Sequence, residues 1–170
     1  MKRSRYIMLV LAVLLMLVLL AAVAGPASAK ATMTRFSTTQ TIDFDSITHG
    51  EFVFAGATIH MRGDSWLSSD DSSDPRLDGT TKLYIHDATA DPVRVVAHGT
   101  YRTVVAGGLG VWEGTWTLKE IYATDTTTDM RYWKGEGRAV SGAVAGLLVK
   151  WTAESSFMDP IAVAGYIIEK

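Results

Sequence analysis

The chain has 170 residues and no cysteine, and its 16 basic and 18 acidic side chains give a formal net charge of −2. The absence of cysteine excludes disulfides, thiolate nucleophiles and zinc–thiolate sites. The first 29 residues hold three basic groups and no acidic one, so 13 basic and 18 acidic groups remain after them, a net charge of −5. A mildly acidic domain has no net attraction for nucleic-acid phosphate or anionic lipid, and we expect neither as a partner.

The N-terminal 29 residues have the layout of a secretory signal peptide. Three positive charges precede the apolar run Tyr6–Ala24, and a Gly-Pro break leads into Ala27-Ser28-Ala29. A basic start, an apolar helical segment and a small-residue triplet form the signal that is removed on export. The sequence therefore predicts a signal helix over 1–29, a secreted or periplasmic location and a folded domain over 30–170. The alternative is an uncleaved membrane anchor, because about 19 apolar residues can span a hydrocarbon layer of roughly 30 Å.

We expect the exported protein to begin at Lys30. The triplet before it is extended and small, which suits cleavage by signal peptidase directly after Ala29. N-terminal sequencing of protein recovered from its host measures this. An intact Met1 in the membrane fraction would support the anchor instead.

The remainder of the chain has the pattern of an all-β protein. Short runs of period 2, rich in Val, Ile, Thr, Tyr and Trp, alternate with Gly, Asp and Ser clusters. Eight strands at this spacing favour a single antiparallel barrel, since closure removes the exposed edges that invite aggregation. The predicted strands are 36–44, 52–62, 81–86, 93–105, 111–121, 130–136, 147–154 and 162–169.

Alternation within the strands predicts which side chains face the barrel interior. Trp112, Trp116 and Trp151 fall on apolar faces, and we expect the glycine at position 114 to leave room for the two tryptophan rings beside it. Each buried indole removes roughly 150–250 Å² from water, so these residues are expected to supply much of the core stability.

Four connecting segments have distinct compositions. The glycines of 107–110 predict a hairpin turn with positive φ angles rather than a phosphate-binding loop. The polar stretch 124–129 reads as a hairpin tip, and the Ser- and Asp-rich stretch 68–74 as a surface loop. A short helical turn is predicted within 135–146, where it would plug or cap one end of the barrel.

Four stretches of the chain resemble a known group of β-barrels. They are Ser73–Gly79, Val111–Trp116, the element from Gly135 to Leu147, and Gly165–Glu169. In these the chain resembles small exported bacterial proteins that are similar in fold to the allene oxide cyclase-like, or calycin-like, eight-stranded barrels. The resemblance covers about 60–170 and implies the barrel; plant cyclases and dirigent proteins of that shape act on hydrophobic small molecules with little covalent catalysis. Its motifs are structural glycines and aromatics, so no functional residue is carried over.

Metal binding finds little support in the sequence. The four histidines are single and lack the spacing of a ligand pair, and three of them fall on the polar faces of predicted strands: His60, His86 and His98. The carboxylates of 70–78 offer oxygens of the kind calcium prefers, but Pro75 stands where an EF-hand needs glycine and no glutamate closes the loop. Turn capping accounts for the Asp and Ser content, with Arg76 expected to pair with one of these carboxylates. We expect no metal and no cofactor.

Two carboxylates are weak candidates for catalysis. Glu113 and Glu136 lie in glycine-flanked, aromatic-rich strands, where burial would raise a carboxyl pKa and suit proton transfer. The alternative for Glu113 is a solvent-facing residue paired with a cross-strand Lys or Arg. Ser141 lacks the nucleophile-elbow context, so a hydrolytic triad is not expected.

Aromatic residues are the candidates for ligand contact. Trp112, Trp116, Trp133 and Trp151 fall on late strands and either line a cavity or fill the barrel. The sequence thus favours an exported, non-catalytic binding module for a small apolar or amphipathic molecule. The alternatives are a cyclase- or isomerase-type enzyme that uses a buried carboxylate, and a structural envelope protein with a filled barrel. A cavity of roughly 300 Å³ or more with an internal carboxylate would favour the enzyme, an empty apolar cavity would favour binding, and a filled barrel would favour the structural role.

Overall fold

The computed structural model describes residues 30–122, 129–156 and 160–170, and apart from turns these residues form β-strands. The all-β prediction is confirmed. The predicted signal helix and all but the last residue of the predicted hairpin tip at 124–129 lie outside the described residues. No helix within the described ranges is long and apolar enough to span a membrane. The strands are β1 (Thr32–Thr48), β2 (Glu51–Ala55), β3 (Thr58–Arg62), β4 (Ser65–Ser72), β5 (Gly79–Ala90), β6 (Arg94–Val105), β7 (Gly110–Ile121), β8 (Met130–Gly142), β9 (Leu148–Ser155) and β10 (Ile161–Glu169).

Eight of these strands close into an antiparallel barrel. Their order is β5-β4-β1-β10-β9-β8-β7-β6, and β6 pairs back with β5 to complete the ring. The longest ladder joins β6 to β7 without interruption from Arg94 opposite Ile121 to Val105 opposite Gly110. The predicted eight-stranded barrel is therefore confirmed, and it is consistent with calycin-like folds.

The predicted surface loop at 68–74 was wrong, because most of it is strand β4. This strand pairs with β1 on one side and with β5 on the other. Its inward residues include Ser68 and Asp70, whose polarity resembles that of a loop. Polar side chains can point into a barrel when other interior groups satisfy their hydrogen bonds, which a composition argument cannot detect.

The predicted single strand 52–62 was also wrong, since it is the hairpin β2–β3. The chain turns at Gly56, whose φ of 64° favours glycine. Strand β3 pairs with the last residues of β5, which extend beyond the part of β5 that pairs with β4. Strand β2 pairs with the other edge of β3. The prediction of eight barrel strands was therefore right, but the predicted strand 52–62 is not one of them, and β4 takes its place in the ring.

The predicted helical turn within 135–146 was wrong as well, because β8 continues to Gly142. A tight turn follows, in which Val144 is 2% exposed and belongs to the core, so this segment does cap one end of the barrel. The prediction for the β6–β7 connection is confirmed: Gly107, Gly108 and Gly110 all have positive φ.

Interior aromatic rings lie over glycines of other strands. A Cβ added at Gly135 would overlap the Trp151 indole, and one added at Gly137 would overlap the Tyr101 hydroxyl. A bare glycine therefore provides the space that each ring occupies. The space at Gly114 is used by Tyr101 as well, which corrects the expectation that the flanking tryptophans fill it.

The predicted inward positions of the tryptophans are confirmed. Trp112 is 0% and Trp116 1% exposed, and Trp151 is partly buried against the core. Trp116 packs between Trp66 and Trp133, with ring centroids 6.1 and 5.3 Å away. Apolar side chains around Trp112 fill the end that holds the β6–β7 turn: Val105, Ala139, Val144 and Ile167.

Candidate functional site

A cavity of about 60 Å³ lies inside the barrel, walled by side chains from seven of its eight strands. Its wall is mainly aromatic and aliphatic, with a group of polar side chains contributed by β1, β4, β5 and β6. The inward alternation of each strand places them there. The lining residues are Phe36, Thr38, Gln40, Asp70, Leu77, Thr81, Leu83, Tyr101, Thr103, Trp112, Val149, Trp151 and Val163.

The polar group of the wall is a hydrogen-bonded network centred on the Asp70 carboxylate. The Gln40 amide donates to Oδ1 at 2.9 Å, and the Thr81 hydroxyl donates to Oδ2. The Thr103 hydroxyl is hydrogen-bonded to that of Thr81, so it can donate to it while Thr81 donates to the carboxylate. Each carboxylate oxygen has two lone pairs, so this network leaves acceptor capacity at Asp70.

Asp70 is an unusual residue for the interior of a small barrel. It is 8% exposed, and burial raises the pKa of its carboxyl to about 6, against the lowering effect of the hydrogen bonds from Thr81 and Gln40. The nearby charge of Asp78 contributes further to the raised pKa. Of the described residues that line the cavity, Asp70 is the one with an ionisable acidic or basic side chain near neutral pH, and no cationic side chain faces it there.

The Tyr101 ring forms another part of the same wall. The residue is 6% exposed, and burial raises the pKa of its phenol to about 12. Its ring meets the Trp151 ring edge-on at 5.9 Å. The hydroxyl lies near the Trp151 indole, but within the described part of the chain it makes no well-formed hydrogen bond. The hydroxyl is packed against Gly137 of β8, and it is the ring of Tyr101 that faces the cavity.

The connection between β4 and β5 closes the wall beside Asp70. The Arg76 guanidinium donates to both carboxylate oxygens of Asp74, at 2.9 and 2.7 Å, and these bonds hold the pKa of Asp74 below its usual value. The Trp112 indole donates to the Arg76 carbonyl at 2.7 Å. The expected pairing of Arg76 with a carboxylate of this segment is confirmed. The ion pair with Asp74 fixes the connection that places Leu77 at the cavity wall.

Two of the four tryptophans expected to contact a ligand line this cavity. Trp112 and Trp151 belong to its wall, whereas Trp116 and Trp133 lie in the neighbouring tryptophan cluster. The indole N–H of Trp116 donates to the Thr100 carbonyl at 3.0 Å. That of Trp133 is buried and has no partner among the residues that the structure covers.

The two weak catalytic candidates lie on the outer face of the barrel. Glu113 is 3.4 Å from the Nε atom of Arg102 on β6, and Glu136 is 3.4 Å from the Nζ atom of Lys150 on β9. All four side chains are more than half exposed, so these are surface ion pairs, which contribute about 0–1 kcal/mol. The proton-transfer hypothesis required burial, which neither glutamate has.

The residues considered for metal binding do not converge. The Asp70 carboxylate points into the barrel and Asp74 binds Arg76, so the two do not share an ion. His86 and His98 are exposed, and His60 is within 3.3 Å of the Thr89 hydroxyl. No group of three or more potential ligand side chains occurs in the described ranges.

Sequence reasoning missed Asp70 as a site residue. The signal that could have found it is the alternation through β4, where Trp66, Ser68 and Asp70 share one side and Leu67 and Ser69 the other. The large aromatic at the start of this alternation marks the inward side.

A second depression, of about 650 Å³, lies over the outer surface of β7–β10. Exposed polar side chains line it, including Thr115, Lys134 and Lys150, and the glycines at 135 and 165 form part of its floor. It is larger than the interior cavity, but its polar lining side chains are exposed on the outer face of the barrel. The interior cavity instead places a buried carboxylate and its hydrogen-bonding partners among apolar walls, the usual form of a ligand site, so it is the better candidate.

In comparisons with known proteins, the chain matches no family model, no curated protein and no solved structure. The barrel interior is therefore the basis for assigning a function.

Proposed function

We propose that this protein is an exported barrel that binds a small apolar or amphipathic molecule in its interior. The observation that carries the proposal is the cavity in the barrel interior, with aromatic and aliphatic walls and one polar side at Asp70. A mostly apolar space with a few convergent polar groups is the usual form of a ligand site. We also propose that the chain belongs to the small exported bacterial barrels similar to allene oxide cyclase. The Ser73–Gly79 motif of that resemblance is the connection fastened by Asp74, Arg76 and Trp112.

The cavity volume limits the ligand. A volume of about 60 Å³ is well below the roughly 300–1,000 Å³ of sites for drug-sized molecules and is about twice the share of one water in the liquid. The ligand, or the part of it that enters, therefore has few non-hydrogen atoms. The best small ligands gain at most about 1.5 kcal/mol per such atom, so Kd values are expected from tens of micromolar upward.

A series of straight-chain alcohols from methanol to hexanol tests this proposal. We expect affinity to rise with chain length to about two or three carbons and then to fall, because longer chains exceed the cavity. Binding on the outside would instead strengthen by about 0.8 kcal/mol with each added CH₂. The measurement is the shift of the Trp112 and Trp151 indole N–H resonances during titration.

A matched pair of variants controls for nonspecific binding. Val163→Phe enlarges a side chain of the cavity wall, and Val96→Phe makes the same change at an exposed position on β6. The first is expected to abolish alcohol binding and the second to leave it unchanged. Binding that survives in Val163→Phe would contradict the interior site, and a wild-type protein that binds no alcohol would favour the structural envelope role.

A second candidate function is an isomerase or cyclase that uses Asp70 in place of the surface glutamates. The observation that favours it is a carboxyl group inside the cavity with a pKa of about 6, suited to accept and return a proton near neutral pH. Native mass spectrometry of protein from its host, with analysis of the released molecule, separates the two functions. Two isomers interconverted by the wild type but not by Asp70→Asn would indicate the enzyme, whereas one unchanged compound would indicate binding.

A further inference from the structure

The chemistry of the cavity wall restricts the polar end of the ligand. Asp70 is the only charged lining residue among those described, and its network consists of an amide and hydroxyl groups, with no cation. A buried carboxylate without a cationic partner is expensive, and it is stabilised by any positive charge that reaches it. A ligand carboxylate would face like charge in a low-dielectric space, so fatty acids are disfavoured.

Aromatic rings surround the same space. Four of them line the cavity: Phe36, Tyr101, Trp112 and Trp151. The face of an aromatic ring carries negative electrostatic potential and attracts ammonium groups within about 6 Å, most strongly where water is excluded.

Resting on the proposed function, we propose that the barrel interior binds a small aliphatic ammonium ion, whose charged nitrogen is held by the Asp70 carboxylate and the surrounding aromatic rings. The alkyl part lies against the aliphatic wall formed by Leu77, Leu83, Val149 and Val163. The hydroxyl of an alcohol of the same length can donate a hydrogen bond to the Asp70 network, but it does not neutralise the buried Asp70 charge. A carboxylate of the same length is rejected.

The protonation of Asp70 links this binding to pH. Burial raises the pKa of Asp70 to about 6, with Asp78 as the charged neighbour that contributes. Tyr101, the other titratable group of the wall, stays neutral because its pKa is about 12. An ammonium ion favours the ionised carboxylate, so its affinity is present above pH 6 and is lost as the pH falls through that value.

Three probes of equal length test the inference by titration calorimetry at pH 7.5: n-propylammonium, 1-propanol and propionate. We expect n-propylammonium to bind at least about tenfold more tightly than 1-propanol, and propionate not to bind. At pH 5 the ammonium affinity falls about tenfold, because only about one in ten Asp70 side chains is then ionised, whereas the affinity of the uncharged alcohol falls less.

Asp70→Asn and Asp71→Asn form the matched variants. The two residues are adjacent on β4, but Asp71 points outward. Asp70→Asn is expected to lower ammonium affinity to about that of the alcohol, and an unchanged far-ultraviolet circular dichroism spectrum shows that the variant has folded. Asp71→Asn should behave as wild type.

Two results overturn the inference in distinguishable ways. Equal binding of alcohol and ammonium, or an ammonium preference that persists in Asp70→Asn, refutes the ammonium site and leaves the proposed binding function standing. Binding of none of the three probes refutes both.

Discussion

Trp116→Ala is expected to lower the free energy of unfolding by about 3–5 kcal/mol, the usual range for removing a buried tryptophan or phenylalanine. Trp116 is 1% exposed and packs against Trp66 and Trp133. The strands around it are tied by continuous ladders on both sides, so they cannot collapse into the vacated space. The change also removes the hydrogen bond to the Thr100 carbonyl. Urea unfolding followed by circular dichroism measures the effect.

Tyr132→Ala is the matched control for that result. Tyr132 lies on β8, one residue from Trp133, but its side chain points outward and is 41% exposed. Truncating it should cost less than about 1 kcal/mol, in line with other surface substitutions. A Trp116→Ala variant as stable as Tyr132→Ala would mean that the tryptophan cluster does not support the barrel.

Asp70→Asn is expected to stabilise the protein at pH 8. The carboxyl pKa is 3.8 in the unfolded chain and about 6 in the barrel, a difference that corresponds to about 3 kcal/mol of destabilisation once the group is ionised in both states. Asparagine removes this charge. Its carbonyl can still accept from Gln40 and its amide can donate to Thr81, so the network stays satisfied.

The gain from Asp70→Asn depends on pH with a definite sign. Between pH 3.8 and 6 the folded wild type binds more protons at Asp70 than the unfolded chain, so this group's contribution falls as the pH rises through that range. The stability difference between Asp70→Asn and wild type is therefore largest above pH 6 and disappears near pH 4. Urea titrations of both proteins between pH 4 and 8 measure it.

Two comparisons make the Asp70 result interpretable. Arg76 lowers the pKa of Asp74, so the stabilisation that Asp74 contributes is lost as the pH falls. This loss is the same in wild type and in Asp70→Asn, so it cancels in the stability difference between them. Asp71→Asn on the outer face should show no pH-dependent gain. A destabilised Asp70→Asn at pH 8 would contradict the buried-charge description, and the ammonium site would lose its main support.

The strands could be predicted from the sequence wherever apolar and polar side chains alternate, so that one face of the strand is apolar. Strands β7 and β9 were predicted closely because Trp112, Trp116 and Trp151 recur at even spacing against polar neighbours. Strand β4 was missed because its inward side is largely polar. The β2–β3 hairpin was read as one strand because Phe52 and Phe54 continue an apolar run, although both are exposed.

The candidate site could be predicted only in part. Trp112 and Trp151 were recognised because large aromatics on an inward face must contact whatever occupies the interior. Glu113 and Glu136 were proposed as catalytic candidates because of their glycine and aromatic neighbours. In the alternation of their strands, however, both occupy positions whose side chains face outward. Asp70 was treated as part of a loop, although its side chain is one of the few polar groups of the cavity.

By itself the sequence determined the all-β class and the inward tryptophans, because these depend on period-2 alternation within one strand. The tertiary structure alone decided that Asp70 meets Gln40, Thr81 and Thr103. Their strands are joined by pairing between segments far apart in the chain, and closure of the ring fixes which inward side chains share a cavity. That juxtaposition depends on strand order and register, which no local pattern encodes.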